Sequence, residues 1–544
     1  MRPLARIVWL WRGRALWLIA GLMIAVAGLV VGVWMMRLAG GLIAAAWVLP
    51  VVGVLPAAVV LRGLGPARVV LRYGERLVSH DAMFRALADL RVWLFRGLAP
   101  GVAGGLGFRR AGDLLSRLVG DVEALDGVYL RILIPLAGAA VLLPLLVWQI
   151  ATRSVILAVV EGGLFVFAAL VVPWRAARQS RAAGVLLSGA AAALRIAAHD
   201  ALAGLREVRA FGAEGRMLAL VQAREAGLLA AQHESAKAAA HAGAVAFLCG
   251  QAAVLAVLIA VGLDPALAAA AFLAVAAFEA IGGLARAGAA AGHAAAAAAR
   301  VIEAAEAPAA VAEPAAPAVA PRGHALRFEA VHFRWRKDRP PVFSGLTLDI
   351  PSGNRIALLG PSGSGKSTLA ALALKLAAPQ SGRVLLGGTD IASLDAATVR
   401  GRMTWLAQST HLFADTIRAN LLLARPDADE AALWAALEAA RIADMVTGLP
   451  ERLDHWVGEG GAGFSGGQGR RLVLARALLS AAPILILDEP CAGLDAETER
   501  GFYATLNESA AGRTVIVIAH RLTGAEQLDR IWRLSEGRAV AAAG

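Results

Sequence analysis

The sequence predicts an all-α membrane domain with six transmembrane helices, followed by an α/β domain. Of the 544 residues, 58 % are apolar, which exceeds the apolar content typical of a soluble protein. Several apolar runs reach the roughly 20 residues that an α-helix needs to cross a hydrocarbon core of about 30 Å. The C-terminal part instead alternates short β-type runs, such as RIALLG and PILILD, with helical ones, as parallel α/β domains do.

Six apolar runs are the candidate transmembrane helices. They lie at about 15–34, 41–61, 132–150, 155–173, 242–263 and 265–284. A cleaved signal peptide is the alternative interpretation of the first run, but the apolar stretch of such a peptide has only about 7 to 15 residues. Because the first run is longer and other runs follow it, we expect it to be the first membrane helix.

The arginines predict the orientation of these helices. Cytoplasmic loops retain Arg and Lys, and the long connections after the second and fourth runs contain most of the arginines in this half. The other connections contain little charge beyond Arg37, Arg153 and Asp264. We therefore expect both termini, both long loops and the C-terminal domain on the cytoplasmic side, with the long loops continuing the membrane helices into water.

The overall charge and the cysteines exclude two other classes of protein. A net charge of +12 occurs in nucleic-acid-binding proteins, but the basic residues here adjoin apolar runs and are not interleaved with aromatic ones. We expect no nucleic-acid partner. The two cysteines, Cys249 and Cys491, give no disulfide framework.

A change in composition marks the predicted domain boundary. Residues 304–323 are rich in Ala and Pro, a composition that stiffens a linker and does not build a core. The prediction is a transmembrane domain at 1–303, a linker at 304–323 and a nucleotide-binding domain at 324–544.

A phosphate-binding loop follows a predicted strand in this last domain and opens a predicted helix, which is the context that such a loop requires. Glycines allow backbone N–H groups to surround phosphates, and the helix N-terminus adds partial positive charge. The chain has only four lysines, and one of them stands where a compact ammonium fits between β- and γ-phosphates. The predicted ATP-binding residues are Gly360, Pro361, Ser362, Gly363, Ser364, Gly365, Lys366, Ser367 and Thr368.

A second strand ends in two acids, Asp488 and Glu489. Two solvated acids at a strand end are the alternative, but the upstream phosphate-binding loop favours a catalytic pair. Asp488 and the Ser367 hydroxyl are expected to hold Mg²⁺, and Glu489 to polarise the attacking water.

The whole C-terminal domain resembles the ABC ATPase family through these motifs and five others. The resemblance implies that the motif starting at Ser465 contacts the ATP of a partner subunit; Phe464 precedes it where the family usually has Leu. It also implies that Gln408 senses Mg²⁺ as a further ligand, that His520 is the switch histidine, that Asp495 belongs to the D-loop and that Trp335 stacks on adenine. The signature residues are Ser465, Gly466, Gly467 and Gln468.

The membrane half resembles exporter-type ABC proteins and, more closely, the CydC family. Segments 111–117 and 204–214 resemble the intracellular loops that carry coupling helices. Segments 72–81, 129–131 and 276–280 are similar to CydC, one subunit of the heterodimeric CydDC exporters of the bacterial inner membrane, although the first two apolar runs are unusually rich in Ala and Gly.

The CydC resemblance implies a CydD-like partner, surrounding membrane lipids, and ATP-driven export of the small thiols glutathione and cysteine to the periplasm in support of cytochrome bd assembly. A haem-linked role has also been proposed for the family, and His80 is the candidate ligand of a haem b. The alternatives are a drug or lipid exporter that forms a homodimer, and a haem-linked membrane ATPase; intact Glu489 and His520 favour ATP turnover.

Several charged residues near the membrane runs are candidates for the translocation path. An anionic peptide needs basic groups, and bidentate contacts from arginines at the inner ends of the runs would provide them. The positive-inside rule alone also places arginines there. The arginines considered are Arg62, Arg68, Arg72 and Arg131, and the intramembrane carboxyls are Glu161 and Glu279, for which a protonated or locally paired group between helices is the alternative.

Overall fold

The computed structural model describes residues 2–542 except 46–50, 105–116, 262–266, 310, 409–410, 493–495 and 511. The chain divides between Ala307 and Pro308 into two compact units. The first unit is helical, and the second consists of two β-sheets with helices packed against them.

The helices of the first unit are long, as apolar runs of this length predict. In chain order they are α1 (Arg2–Leu10), α2 (Ala15–Ala45), α3 (Val51–Gly104), α4 (Ile134–Ala151), α5 (Val155–Val166), α6 (Val172–Ala203), α7 (Leu205–Ala210), α8 (Glu214–Val261) and α9 (Ala268–Ala305). Helices α5 and α6 are joined without a break by a π-helical turn at Phe167–Val171. The turn between α4 and α5 is short, and Ser154 caps α5 by accepting a hydrogen bond of 3.3 Å from the Leu157 N–H.

Six helical segments within the described residues are long and apolar enough to cross a membrane, which confirms the predicted class. These candidates are Pro3–Ile43, Val128–Ala151, Val155–Ser180, Ala182–Ala203, Glu214–Ala260 and Ala269–Ala305. The predicted run at 41–61 is not among them, since it falls partly on residues 46–50, outside the described part of the chain. Ala182–Ala203 meets the length and hydropathy criteria because it is rich in alanine, although we predict it to be a cytoplasmic extension of a membrane helix.

Helices α6 and α9 touch backbone to backbone through glycines. A Cβ atom on Gly292 would lie 2.7 Å from the Ser180 carbonyl oxygen, and one on Gly288 would overlap the backbone of Pro173. Membrane helices commonly approach each other this closely where one of them has small residues. The contact between α6 and α9 therefore depends on the absence of side chains at these two positions.

The second unit contains ten strands among its described residues, β1 to β10 in chain order. They are β1 (Leu326–Phe333), β2 (Phe343–Ile350), β3 (Arg355–Leu359), β4 (Ser381–Leu386), β5 (Thr389–Asp390), β6 (Met403–Leu406), β7 (Ile484–Asp488), β8 (Thr514–Ala519), β9 (Arg530–Ser535) and β10 (Arg538–Ala541). The helices are α10 (Lys366–Ala373), α11 (Ala396–Gly401), α12 (Ile417–Leu422), α13 (Glu430–Ala439), α14 (Ala443–Thr447), α15 (Gly466–Leu479) and α16 (Ala496–Ser509).

The larger sheet has the order β10-β9-β3-β8-β7-β6, in which only β10 is antiparallel to its neighbour. Every residue of β7 and β8 is buried, as expected for central parallel strands covered on both faces. This sheet confirms the predicted α/β domain. The sequence did not predict the second sheet, which is antiparallel with the order β2-β1-β4-β5.

Candidate active site

The predicted catalytic motifs follow four neighbouring strands of the larger sheet. In the order β3-β8-β7-β6 these strands are parallel, so their carboxyl ends lie along one edge. The phosphate-binding loop follows β3, His520 follows β8, Glu489 follows β7 and Gln408 follows β6. Ligands of parallel α/β sheets bind at this edge, and the motifs that are far apart in sequence are therefore assembled at one place.

Glycine conformation shapes the phosphate-binding loop. Gly363 and Gly365 have φ values of +80° and +100°, which side-chain-bearing residues rarely adopt. A Cβ on Gly365 would also lie 2.6 Å from Val342 and 2.8 Å from the Phe343 ring. The loop backbone leads directly into α10, which begins at Lys366, so that N–H groups and the helix dipole face the same place, as a phosphate site requires.

We expect Gly365→Ala to weaken ATP binding by at least about tenfold, because the added methyl group both strains a left-handed residue and overlaps Val342 and Phe343. Competition with a fluorescent nucleotide would measure the affinity. Gly512→Ala is the control, since Gly512 also has a positive φ of +78° but nothing lies near its added Cβ. Equal effects of the two substitutions on nucleotide affinity would contradict the role of the loop.

Lys366 lies inside the phosphate-binding loop. Its Nζ donates hydrogen bonds of 2.8 Å and 3.0 Å to the carbonyl oxygens of Gly360 and Pro361. Burial lowers the pKa of this ammonium, and the carboxylates of Glu489 and Asp488 oppose that shift. A triphosphate beside Lys366 would supply the negative charge that favours the ammonium form.

The two side chains that are predicted to hold Mg²⁺, Ser367 and Asp488, contact each other. The Ser367 Oγ donates to the Asp488 Oδ2 at 2.6 Å, and burial raises the pKa of Asp488. Mg²⁺ prefers oxygen ligands and often uses only one or two protein groups together with substrate phosphates. The pair fits that chemistry; within the described residues, no group of three or more His, Cys, Asp and Glu side chains is arranged to hold a metal by itself.

Glu489 stands between the two other predicted catalytic side chains. Its carboxylate accepts a contact of 2.6 Å from the His520 Nε2 and a hydrogen bond of 3.3 Å from the Gln408 Nε2. The backbone of Glu489 has a φ of +50°, and its N–H donates to the Ile518 carbonyl oxygen at 2.8 Å. Gln408 thus contacts Glu489 directly, whereas its predicted role at Mg²⁺ stays a prediction.

Arg470 is the residue that the sequence analysis missed. It is 8 % exposed, and its guanidinium donates to the carbonyl oxygens of Gln408 at 2.8 Å, Asp488 at 2.9 Å and Pro490 at 3.2 Å, and also to that of Glu489. Burial lowers its pKa, while Glu489 and other acidic groups oppose the shift. Arg470 therefore holds the loops after β6 and β7 together. In the sequence, the feature that could have drawn attention to Arg470 is its place five residues after Ser465, in the helix that the signature motif begins.

The signature motif begins α15. The Ser465 Oγ accepts a hydrogen bond of 3.2 Å from the Gln468 N–H, and the Gln468 Oε1 accepts one of 2.9 Å from the Ser465 N–H. This reciprocal pair is a capping box. Ser465 and Gly466 are exposed, which leaves them accessible to a second subunit; their contact with the nucleotide of a partner stays a prediction.

Three further predicted residues have different outcomes. Trp335 is half-buried, packs edge-on against Phe333 with ring centroids 5.0 Å apart, and donates from Nε1 to the Thr368 Oγ1 at 3.1 Å. It therefore borders the helix that follows the phosphate-binding loop, while adenine stacking stays a prediction. Asp495 lies outside the described residues.

His80 lies on α3, and its ring is tilted against that of Phe84 with centroids 5.9 Å apart. His80 and Phe84 are one turn apart on the same helix, and the haem role of His80 stays a prediction. Of the two predicted coupling segments, 204–214 contains α7, and residues 111–116 lie outside the described part of the chain.

Comparison with known proteins supports the same interpretation. Residues 343–492 match the family described as ABC transporter. The chain is 33 % identical over 555 residues to the glutathione/L-cysteine transport system ATP-binding/permease protein CydC of Escherichia coli K12, covering 99 % of this chain and 96 % of that protein. The corresponding protein of Haemophilus influenzae is 32 % identical with the same coverage.

Two further similarities are informative. An ATP-dependent lipid A-core flippase of Chromobacterium violaceum is 43 % identical, but over 219 residues, which are 40 % of this chain and 37 % of the flippase. The solved structure of a bacterial Atm1-family ABC exporter with ATP bound superimposes with a TM-score of 0.87 and 25 % identity, covering 97 % of this chain and 94 % of that one.

Proposed function

Because the chain belongs to the CydC-like family of ABC exporter half-transporters, we propose that it pairs with a CydD-like half-transporter and exports glutathione or cysteine from the cytoplasm to the periplasm. The family couples ATP hydrolysis to transport, and the chain is a multi-pass membrane protein of this type. The proposal concerns the cargo, the partner and the support of cytochrome bd assembly in a bacterial inner membrane.

One observation carries the choice of cargo: the similarity to CydC extends over 99 % of the chain, including the membrane half. The flippase similarity is higher in identity but covers only 40 % of the chain. ATPase domains are shared among exporters with different cargoes, and the membrane helices contact the cargo. Similarity across the membrane half therefore favours thiol export over lipid export.

The geometry of the second unit supports a division of labour among its residues. ATP supplies the phosphoanhydride bond whose hydrolysis drives transport. Lys366 would face the phosphates, Ser367 and Asp488 would hold Mg²⁺, and Glu489 would orient the attacking water. His520 and Gln408 hold the Glu489 carboxylate from two sides, and the signature motif of the partner completes the site.

The proposed function includes an orientation in the membrane and does not include haem. The arginine-rich loops favour a cytoplasmic position for the termini and the ATPase domain, where ATP is available. Haem does not enter the proposed function, because the contact of His80 with Phe84 on the same helix does not indicate a haem site. A haem-linked role thus has only the family resemblance in its support.

We expect the complex of this chain with its CydD-like partner to accumulate labelled glutathione in inverted membrane vesicles only when ATP is present. A single chain cannot complete a site from its own phosphate-binding loop and signature motif, and the proposal assigns the second set to the CydD-like partner, so the chain purified alone is expected to be inactive. Vesicles containing the Glu489→Gln complex are the control for uptake that does not depend on hydrolysis. Stimulation of ATPase by lipids or drugs without thiol uptake, or full activity of the chain alone, would contradict the proposal.

A further inference from the structure

A cavity of about 350 Å³ lies within the first unit. Residues of α2, α3, α9, the turn before α4 and the start of α4 line it, and apolar side chains such as Ile24, Leu71 and Ile134 alternate with charged ones. A volume of this size lies within the range of small-ligand sites. It is sufficient for an amino acid or a short peptide.

Four charged side chains line this cavity, two of each sign. Arg68, Arg72 and Glu75 come from α3, where the spacing of four and then three residues places them on one face of the helix. Glu279 comes from α9 and is exposed. Of the four arginines considered from the sequence, the lining of the cavity includes Arg68 and Arg72 but not Arg62 or Arg131.

No ion pair or hydrogen bond joins these four side chains to one another or to any other residue in the described part of the chain. Glu279 lies within the predicted membrane run at 265–284, where a charged group costs at least about 2.5 to 3.5 kcal/mol and usually marks a substrate path. Arginines and glutamates near each other would normally form ion pairs. A cavity whose positive and negative side chains are both unpaired is suited to a ligand that has a negative and a positive group.

The position of Arg68 depends on a glycine of α2. A Cβ on Gly32 would lie 3.0 Å from the Arg68 Nε and 3.2 Å from its Cζ. The guanidinium therefore lies against the bare backbone of α2, and its position in the cavity is defined by packing. A binding group held by packing loses less conformational freedom when it contacts a ligand.

Glu161, the other candidate from the sequence, behaves differently. It is fully buried in α5, and neither carboxyl oxygen has a hydrogen-bond partner among the described residues. Glu161 does not line this cavity. Glu279 is thus the intramembrane carboxyl that a solute can reach.

We propose that this cavity recognises the zwitterionic main-chain groups of an amino acid or short peptide. Arg68 and Arg72 bind the carboxylate, for which a guanidinium provides paired donors, and Glu75 and Glu279 bind the α-ammonium. The inference rests on the proposed export of glutathione or cysteine and deepens it. It makes recognition depend on the two charged groups and not on the thiol.

The test uses the complete complex in lipid nanodiscs and compares three ligands by calorimetry: L-cysteine, cysteamine, which lacks the carboxylate, and 3-mercaptopropionate, which lacks the ammonium. The wild-type complex should bind L-cysteine at least about tenfold more tightly than either analogue, since each lost contact to a charged group is worth about that factor. Equal affinity for all three ligands would overturn the proposal.

Substitutions then assign the two halves of the site. Glu279→Gln should weaken binding of L-cysteine about tenfold and leave 3-mercaptopropionate unchanged, whereas Arg72→Gln should weaken both of these ligands and leave cysteamine unchanged. Arg76→Gln is the matched control, because Arg76 is an exposed arginine of the same helix that does not line the cavity. If both test variants weakened all three ligands equally, the assignment would be wrong.

Two outcomes distinguish the proposed zwitterion site from the proposed thiol export. Binding of S-methylglutathione as tightly as glutathione, without ATP-dependent uptake of any thiol, would support the zwitterion site and contradict thiol export. Wild-type uptake of glutathione by the Glu279→Gln and Arg72→Gln complexes would support thiol export and contradict this site.

Discussion

Glu489→Gln is expected to reduce hydrolysis at the nucleotide site of this chain by at least about 100-fold, the range of a lost general base, and to leave ATP binding nearly unchanged. Glu489 does not belong to the phosphate-binding loop; its carboxylate lies between His520 and Gln408, at 2.6 Å and 3.3 Å. The amide has nearly the same shape, so it keeps the local packing but is a poor proton acceptor.

Photolabelling with 8-azido-ATP separates binding from hydrolysis in this experiment. Labelling of this chain without vanadate measures binding, and vanadate-dependent trapping on this chain measures hydrolysis at its own site. Glu438→Gln, at an exposed position of α13, is the matched control. Trapping in the Glu489→Gln complex at more than about a tenth of the wild-type level would exclude Glu489 as the general base.

Arg470→Met is expected to lower the maximal ATPase rate about 100-fold with little change in the KM for ATP, which corresponds to about 2.7 kcal/mol in the barrier. The guanidinium joins the carbonyl oxygens of Gln408, Asp488, Glu489 and Pro490. Without it, the two loops that carry Gln408 and Glu489 lose their common donor, while the phosphate-binding loop keeps its own contacts. Arg470→Lys should recover little, since one ammonium cannot replace a planar fork.

A purely structural effect can be distinguished by a second arginine. Arg513 is half-buried and donates to the Ala482 carbonyl oxygen at 2.9 Å. This hydrogen bond does not involve a loop that carries a predicted catalytic residue. Both Arg513→Met and Arg470→Met should lower the thermal midpoint of the domain, but Arg513→Met should leave the maximal rate of the folded complex near that of the wild type. Similar rates in the two variants would remove the positioning role of Arg470.

The fold class followed from local features of the sequence. Apolar runs predicted the membrane helices because the length of a helix and the thickness of a bilayer are matched, and the phosphate-binding loop marked a strand-to-helix turn. That Gln408, Glu489 and His520 lie at one edge of the sheet could have been predicted from the sequence, since parallel strands place their carboxyl ends together.

Other features depend on contacts that no local pattern records. Arg470 acts on backbone carbonyl groups up to 62 residues away, and backbone acceptors have no identity in a sequence. The antiparallel sheet joins β1 to both β2 and β4, although the phosphate-binding loop and α10 lie between β2 and β4 in the sequence. The charged cavity combines α3 with α9, whose lining residues are about 200 positions apart along the chain.

The backbone contact between α6 and α9 has a mechanical consequence. Gly288 and Gly292 have no side chains and lie against the backbone of Pro173 and Ser180, so sliding one helix along the other would drive neighbouring side chains into peptide groups. Such an interface does not allow shear, in which packed helices slide past each other, and it favours rotation of the two helices as one rigid lever. During an alternating-access cycle we expect these two helices to rotate as one body, with the cavity on α9 changing shape as α2 and α3 move relative to that lever.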